Sequence, residues 1–104
     1  KILLRILSVI AIIASIIGDK NYVQMLDTYA KIADHLIVCN LPQQSRAISA
    51  IRLAKFAKYK FKNVYVYNSP LAALECAKRL HKKLIILSGS TYLLKYFIDD
   101  KAKA

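Results

Sequence analysis

The strongest constraint on how this chain folds is an alternation. Runs of aliphatic and β-branched residues recur near residues 8–17, 36–39, 64–67 and 84–87, and each is followed by a segment whose apolar residues return every three or four positions. Continuous apolar runs suit strands buried on both faces, and helical spacing between them suits the crossovers of a parallel sheet. Residues 22–34 carry Val23, Leu26, Ala30 and Ala33 on one stripe, with Met25, Tyr29 and Ile32 beside it. Ser45 is placed to cap a helix running to residue 59, with Ala47, Ile48, Ile51, Ala54 and Ala57 on one side and Arg52, Lys55 and Lys58 around the other. Ser69 and Pro70 read as an N-cap and first helical residue, a position where the missing proline N–H costs nothing. The helix they open is expected to bury Leu71, Leu74, Ala77 and Leu80 and to close on Lys78, Arg79, Lys82 and Lys83. Residues 88–90 form a turn and 91–98 a last helix. The expected architecture is one α/β domain over residues 1–104, a three-layer Rossmann-like parallel sheet with helices on both faces.

The first apolar run admits a second reading, because Lys1 and Arg5 before it resemble the n- and h-regions of a signal peptide. A membrane span needs roughly 20 apolar residues, and this run is shorter and interrupted by Arg5. It ends in Gly18-Asp19-Lys20-Asn21 without a small-x-small cleavage pattern, and the strand–helix regularity gives it a place as the first strand. No membrane partner is expected, and the expected location is cytoplasmic. Two cysteines, Cys39 and Cys76, are too few for a disulfide scaffold and lie in no CxxC or metal-ligand spacing. Disorder is excluded by a hydrophobic content of 57%, although Lys and Arg outnumber Asp and Glu by 17 to 6 for a net charge of +11.

In open α/β sheets ligands bind beyond the carboxyl ends of the strands, which here points to the loops 18–21, 40–46, 68–70 and 88–91. Gly89 between two serines allows close backbone approach, and Ser90 and Thr91 add hydroxyls beside helix N–H groups, a set able to hold a carboxylate or phosphate. The alternative is a capped turn that needs one glycine. Arg46 falls in the expected first turn of its helix, where the dipole disfavours a cation unless a ligand anion shares the edge; otherwise it swings out to solvent. Asp19 is expected to cap the following helix, and Lys20 is either solvated or phosphate-facing. His35 and His81 lie away from this edge, and nothing near Cys39 would make it a thiolate. With Gly18 and Gly89 as the only glycines, neither a P-loop nor a dinucleotide fingerprint can form within the chain.

Taken in order, these stretches resemble the C-terminal domain of the folylpolyglutamate synthase/dihydrofolate synthase family, relatives of the Mur ligases. Ile17-Gly18-Asp19-Lys20-Asn21 is similar to the family's apolar strand followed by Asp-Lys-Asp, with Asn21 in place of the last acid. Ala33-Asp34-His35-Leu36-Ile37-Val38 resembles its Ala-Asp entry to a strand, and Pro42-Gln-Gln-Ser-Arg46-Ala47 its proline loop closing on Arg-Ala. Leu87-Ser88-Gly89-Ser90-Thr91-Tyr92-Leu93 is similar to its Gly-Ser-Leu-Tyr, with Thr91 in place of Leu. The family's opening strand-helix unit, with its Asp-x-Ala-His-Asn motif, has no counterpart here, which implies a partial ligase domain.

The resemblance implies an enzyme that activates a folate or pteroate carboxylate as an acyl phosphate with ATP and Mg²⁺, for attack by the amino group of glutamate. A P-loop ATPase domain of the same polypeptide would be the partner, and this fragment would bind no cofactor and be inactive alone. Gly89, Ser90 and Tyr92 are then expected near the amino-acid substrate, and Asp19, Lys20 and Arg46 near phosphate or the domain interface. An uncovered sheet edge would expose apolar surface and favour self-association. The rival reading is a basic nucleic-acid-binding or regulatory interaction module. Against it, the basic residues are spread over several helices and no helix-turn-helix, zinc spacing or RNA-binding aromatic motif accompanies them. Thirteen of the basic residues are lysines, many of them on outward helix faces.

Overall fold

The computed structural model describes residues 9–18, 21–42, 44–89, 93–95 and 97. Four strands alternate with three helices: β1 (Ile10–Ala14), α1 (Tyr22–Ala30), β2 (His35–Cys39), α2 (Ala50–Ala57), β3 (Asn63–Tyr67), α3 (Pro70–Arg79) and β4 (Leu84–Ser88). All pairings are parallel, in the order β3-β2-β1-β4. The α/β architecture expected from the alternation is therefore present. Residues 93–95 and 97 are helical, and the rest of the expected last helix lies outside the described residues.

Alternation of side chains along each strand divides the core into two layers. On one face Ile10, Ile12, Ala14, Leu36 and Val38 meet Leu26 of α1 and Ala50, Leu53 and Ala57 of α2. On the other, Ile13, Ile37 and Cys39 meet Ala73, Cys76 and Ala77 of α3 and Leu93 beyond β4. The central strand β1 is buried along its whole length, which explains why its sequence carries no polar alternation.

Two boundaries and the buried stripe of one further helix differ from the sequence expectation. β1 is shorter than residues 8–17, because Ser15, Ile16 and Ile17 leave the sheet yet stay buried. Ile17 instead forms an antiparallel bridge with Ala47, and the Ile48 N–H donates to the Ile16 carbonyl at 2.8 Å. That pairing keeps Ala47 and Ile48 out of the helix, so α2 opens at Ala50 under a Ser49 cap and not under Ser45. The buried stripe of α2 becomes Ala50, Leu53 and Ala57, leaving Ile51 64% exposed. In α3 the buried set is Pro70, Ala73, Cys76 and Ala77, and Leu71 faces outward at 46% exposure.

The caps follow side-chain chemistry. Ser49 and Ser69 accept from the N–H groups of Arg52 and Ala72 at 3.2 Å, and Pro70 occupies the first turn as expected. Asn21, not Asp19, caps α1, accepting from Gln24 N–H at 3.2 Å. Past α3, His81 takes the left-handed conformation at φ 54°, the place where a helix usually ends on glycine.

Candidate functional site

The strand order creates one topological switch point. From β1 the chain turns over the α1 face to β2, whereas from β4 it runs to Leu93 on the α3 face. Connections leaving neighbouring strands toward opposite faces open a crevice beyond their carboxyl ends, the usual ligand position in such sheets. The crevice here lies between the ends of β1 and β4. Ala14 is in register with Ser88, and the Ser15 N–H donates to the Ser88 carbonyl at 3.4 Å.

Gly89 follows directly, at φ 107°. A Cβ there would overlap the Ser15 carbonyl oxygen and stand 3.1 Å from its carbon and 3.2 Å from Ile16 Cγ1. The contact between the two strand ends by itself accounts for glycine at this position, whatever else it serves. On the α1 side the Ser88 hydroxyl donates to the Tyr29 hydroxyl at 2.8 Å, tying β4 to α1. Ser15 is fully buried, and its Oγ has no hydrogen-bond partner among the described residues. A buried, unpartnered hydroxyl at a strand end is an uncompensated polar group of about 1–3 kcal/mol.

Arg46 lies on this same edge but not where the sequence reading put it. It precedes α2 by several residues, so the expected conflict with the helix dipole does not arise. Its carbonyl accepts from the Gly18 N–H at 2.7 Å, which brings the loop after β1 and the loop before α2 together. Asp19, Lys20, Ser90 and Tyr92 lie outside the described residues. In sequence they follow the neighbouring ends of β1 and β4.

Asn40 organises the rest of the edge, and the sequence reading did not single it out. Its backbone N–H donates to the Tyr67 carbonyl at 3.2 Å, its Oδ1 accepts from Ala50 N–H at 2.8 Å, and its Nδ2 donates to Asn68 Oδ1 at 3.4 Å. One side chain thus fastens the ends of β2 and β3 to the start of α2. Its cue was available, since asparagine at a strand end readily binds neighbouring backbone. Together with the Ser49 cap it occupies N–H groups at the start of α2 that could otherwise meet an anion.

Two groups have shifts with a clear physical cause. Burial pushes the Cys39 thiol up to about 12, so it stays protonated and is no nucleophile at neutral pH. His35 sits at the opposite, amino edge of the sheet, its ring parallel to that of Tyr65 with centroids 6.1 Å apart. Burial, then the positive charge of Lys82, lowers its pKa against the opposing pull of Asp34. Among the described residues no three His, Cys, Asp or Glu side chains assemble into a metal site, and no helix is long and apolar enough to cross a membrane.

No protein-family model matches the sequence, and no curated protein does. Among solved structures, Mycobacterium tuberculosis folylpolyglutamate synthase complexed with ADP superposes on 81% of this chain with a TM-score of 0.68 and 18% identity. The two share a fold. The same synthase complexed with ADP and AMPPCP gives a TM-score of 0.69 at 19% identity. In both cases the match takes up 21% of the synthase chain, so this chain spans about a fifth of the length of the structures it resembles.

Proposed function

We propose that the chain is the α/β part of an ATP-dependent folate–glutamate ligase, where it helps position glutamate and close the active site without being catalytic alone. The observation that carries this reading is the adjacency of the β1 and β4 carboxyl ends. Two of the stretches that resemble the ligase family, 17–21 and 87–93, begin at those neighbouring strand ends. The shared fold with a segment of an ADP-complexed synthase supports the same reading.

In this account Gly89, Ser90 and Tyr92 face the amino-acid substrate, with hydroxyl and backbone N–H donors matched to a carboxylate. Asp19, Lys20 and Arg46 line the side toward phosphate or the partner domain. ATP and Mg²⁺ would be held by a P-loop domain of the same polypeptide, since this chain has only two glycines and no phosphate loop of its own. The acceptor would be a folate or pteroate carboxylate. A nucleic-acid role fits less well: the exposed cations Lys55 of α2 and Lys58 at its C-cap, and Lys78 and Arg79 on α3, lie on opposite faces of the sheet, so they form no single basic surface.

The test is the glutamate dependence of ATP hydrolysis and amide formation in a polypeptide carrying this chain behind its ATPase domain. Ser90→Ala and Arg46→Ala should each raise the KM for glutamate or lower turnover by roughly tenfold or more, the loss of about one charge-assisted hydrogen bond. Unchanged kinetics in both variants would remove the proposal.

A further inference from the structure

We propose that the outer edge of β3, with the groove between it and α2, takes an extended peptide of interleaved acidic and apolar residues as a fifth strand. β3 ends the sheet order and pairs with β2 on one side only among the described residues. The Asn63 N–H donates to the Asp34 carbonyl at 3.0 Å and the Tyr67 carbonyl accepts from Asn40 N–H at 3.2 Å. Backbone groups alternate in direction along a strand, so those of Val64 and Val66 point to the open edge. An edge strand is normally guarded by a proline, a charge or a bulge, and Asn-Val-Tyr-Val-Tyr has none of these.

Beside that edge lies an apolar groove of about 510 Å³, lined by Val64 and Val66 of β3, by Ile51, Ala54 and Lys55 of α2 and by Lys58 at the helix's C-cap. Ile51 and Val66 are 64% and 42% exposed, high for aliphatic residues on a shared surface. Free backbone donors and acceptors, an apolar floor and a rim of two lysines together define the occupant. It is extended, because only a strand satisfies the edge. It carries apolar side chains for the floor and carboxylates for Lys55 and Lys58. A second copy of the chain fits poorly, since with 17 basic residues against 6 acidic it would set lysines against lysines. A nucleic acid would meet the lysines but leave the aliphatic floor and the strand edge unused.

The experiment uses the 104-residue chain and a fluorescein-labelled peptide of ~10 residues, enough to run past the edge of β3, in which the alternate residues that share one face are valine and glutamate in turn and the residues between them are threonine. Controls are the valine–lysine counterpart, a copy N-methylated at alternate residues, and a mixed single-stranded RNA. The acidic peptide should bind roughly tenfold or more tightly than the lysine peptide, weaken as salt rises, and lose binding on N-methylation. Amide shifts in an ¹⁵N spectrum should centre on Val64 and Val66. K55E/K58E should invert the charge preference, and I51E should weaken binding roughly tenfold with the circular dichroism unchanged, because Ile51 is largely exposed. Equal binding of both peptides, indifference to N-methylation, tighter binding of the RNA, or shifts centred elsewhere would each overturn the proposal.

Discussion

Replacing Gly89 with alanine tests the tight backbone approach between the ends of β4 and β1. A Cβ at this position overlaps the Ser15 carbonyl oxygen and crowds Ile16 Cγ1 at 3.2 Å. Holding an L-residue at φ 107° adds strain of about 1–3 kcal/mol, and shifting a packed strand end to relieve the overlap costs about 1–3 kcal/mol more. A combined loss near 3 kcal/mol is a large share of the roughly 5–15 kcal/mol that stabilises a domain of this size. With an unfolding entropy of about 2.1 cal/mol/K for each of 104 residues, Tm should fall by roughly 14 °C. Gly18→Ala is the internal control. Its Cβ would stand 3.0 Å from the Arg46 carbonyl oxygen, with no positive φ to strain, so about 1 kcal/mol is expected. Urea unfolding followed by far-ultraviolet circular dichroism gives both values, provided the m-values agree. A Gly89→Ala loss below about 1 kcal/mol, or one no larger than that of Gly18→Ala, would refute the packing of β4 against the end of β1.

His81→Gly should stabilise the chain by about 0.5–1 kcal/mol in the same assay, because glycine takes the left-handed position after α3 without a Cβ penalty. Cys39 and Cys76, 0% and 4% exposed, should both resist a disulfide reagent at pH 8 in the folded chain and react once it is unfolded. His35 sets a modest pH dependence. Its folded pKa is lowered, so the unfolded chain takes up the proton first as pH falls through about 6.5, and stability drops below that value. In His35→Gln the fall between pH 7 and 5 should be shallower, as read from urea midpoints.

Much of this fold was legible because each strand carries its own hydrophobic signature and α3 its Ser-Pro cap. The apolar runs located all four strands, and Ser69 before Pro70 located the start of α3 without ambiguity. Boundaries failed where burial and pairing part company. Ile16 and Ile17 are as buried as β1 itself, so the sequence extends the strand through them, although they pair across to Ala47 and Ile48 instead. That same pairing postponed the start of α2 from Ser45 to Ser49, two serines equally able to cap, and so turned Ile51 outward.

The candidate site was legible as a set of loops but not as a place. Nothing local in residues 84–88 says that β4 lies beside β1 and not beyond β3, and that neighbour alone creates the crevice. The ties of Asn40 to Ala50 and Asn68, and of Ser88 to Tyr29, span 10, 28 and 59 residues and depend on the same long-range order. Arg46 kept its edge and lost its helix: its backbone carbonyl is held against the loop after β1 by the Gly18 N–H.

The central claim is that the crevice between β1 and β4 receives the carboxylate of an amino-acid substrate. Titrating the ¹⁵N-labelled chain with L-glutamate reads this directly at each backbone amide. The account predicts saturable shifts at Gly18, Ser88 and Gly89, with His35, Asn63 and Leu84 at the amino edge unmoved. Shifts confined to the amino edge, or none at glutamate concentrations in the tens of millimolar, would contradict it.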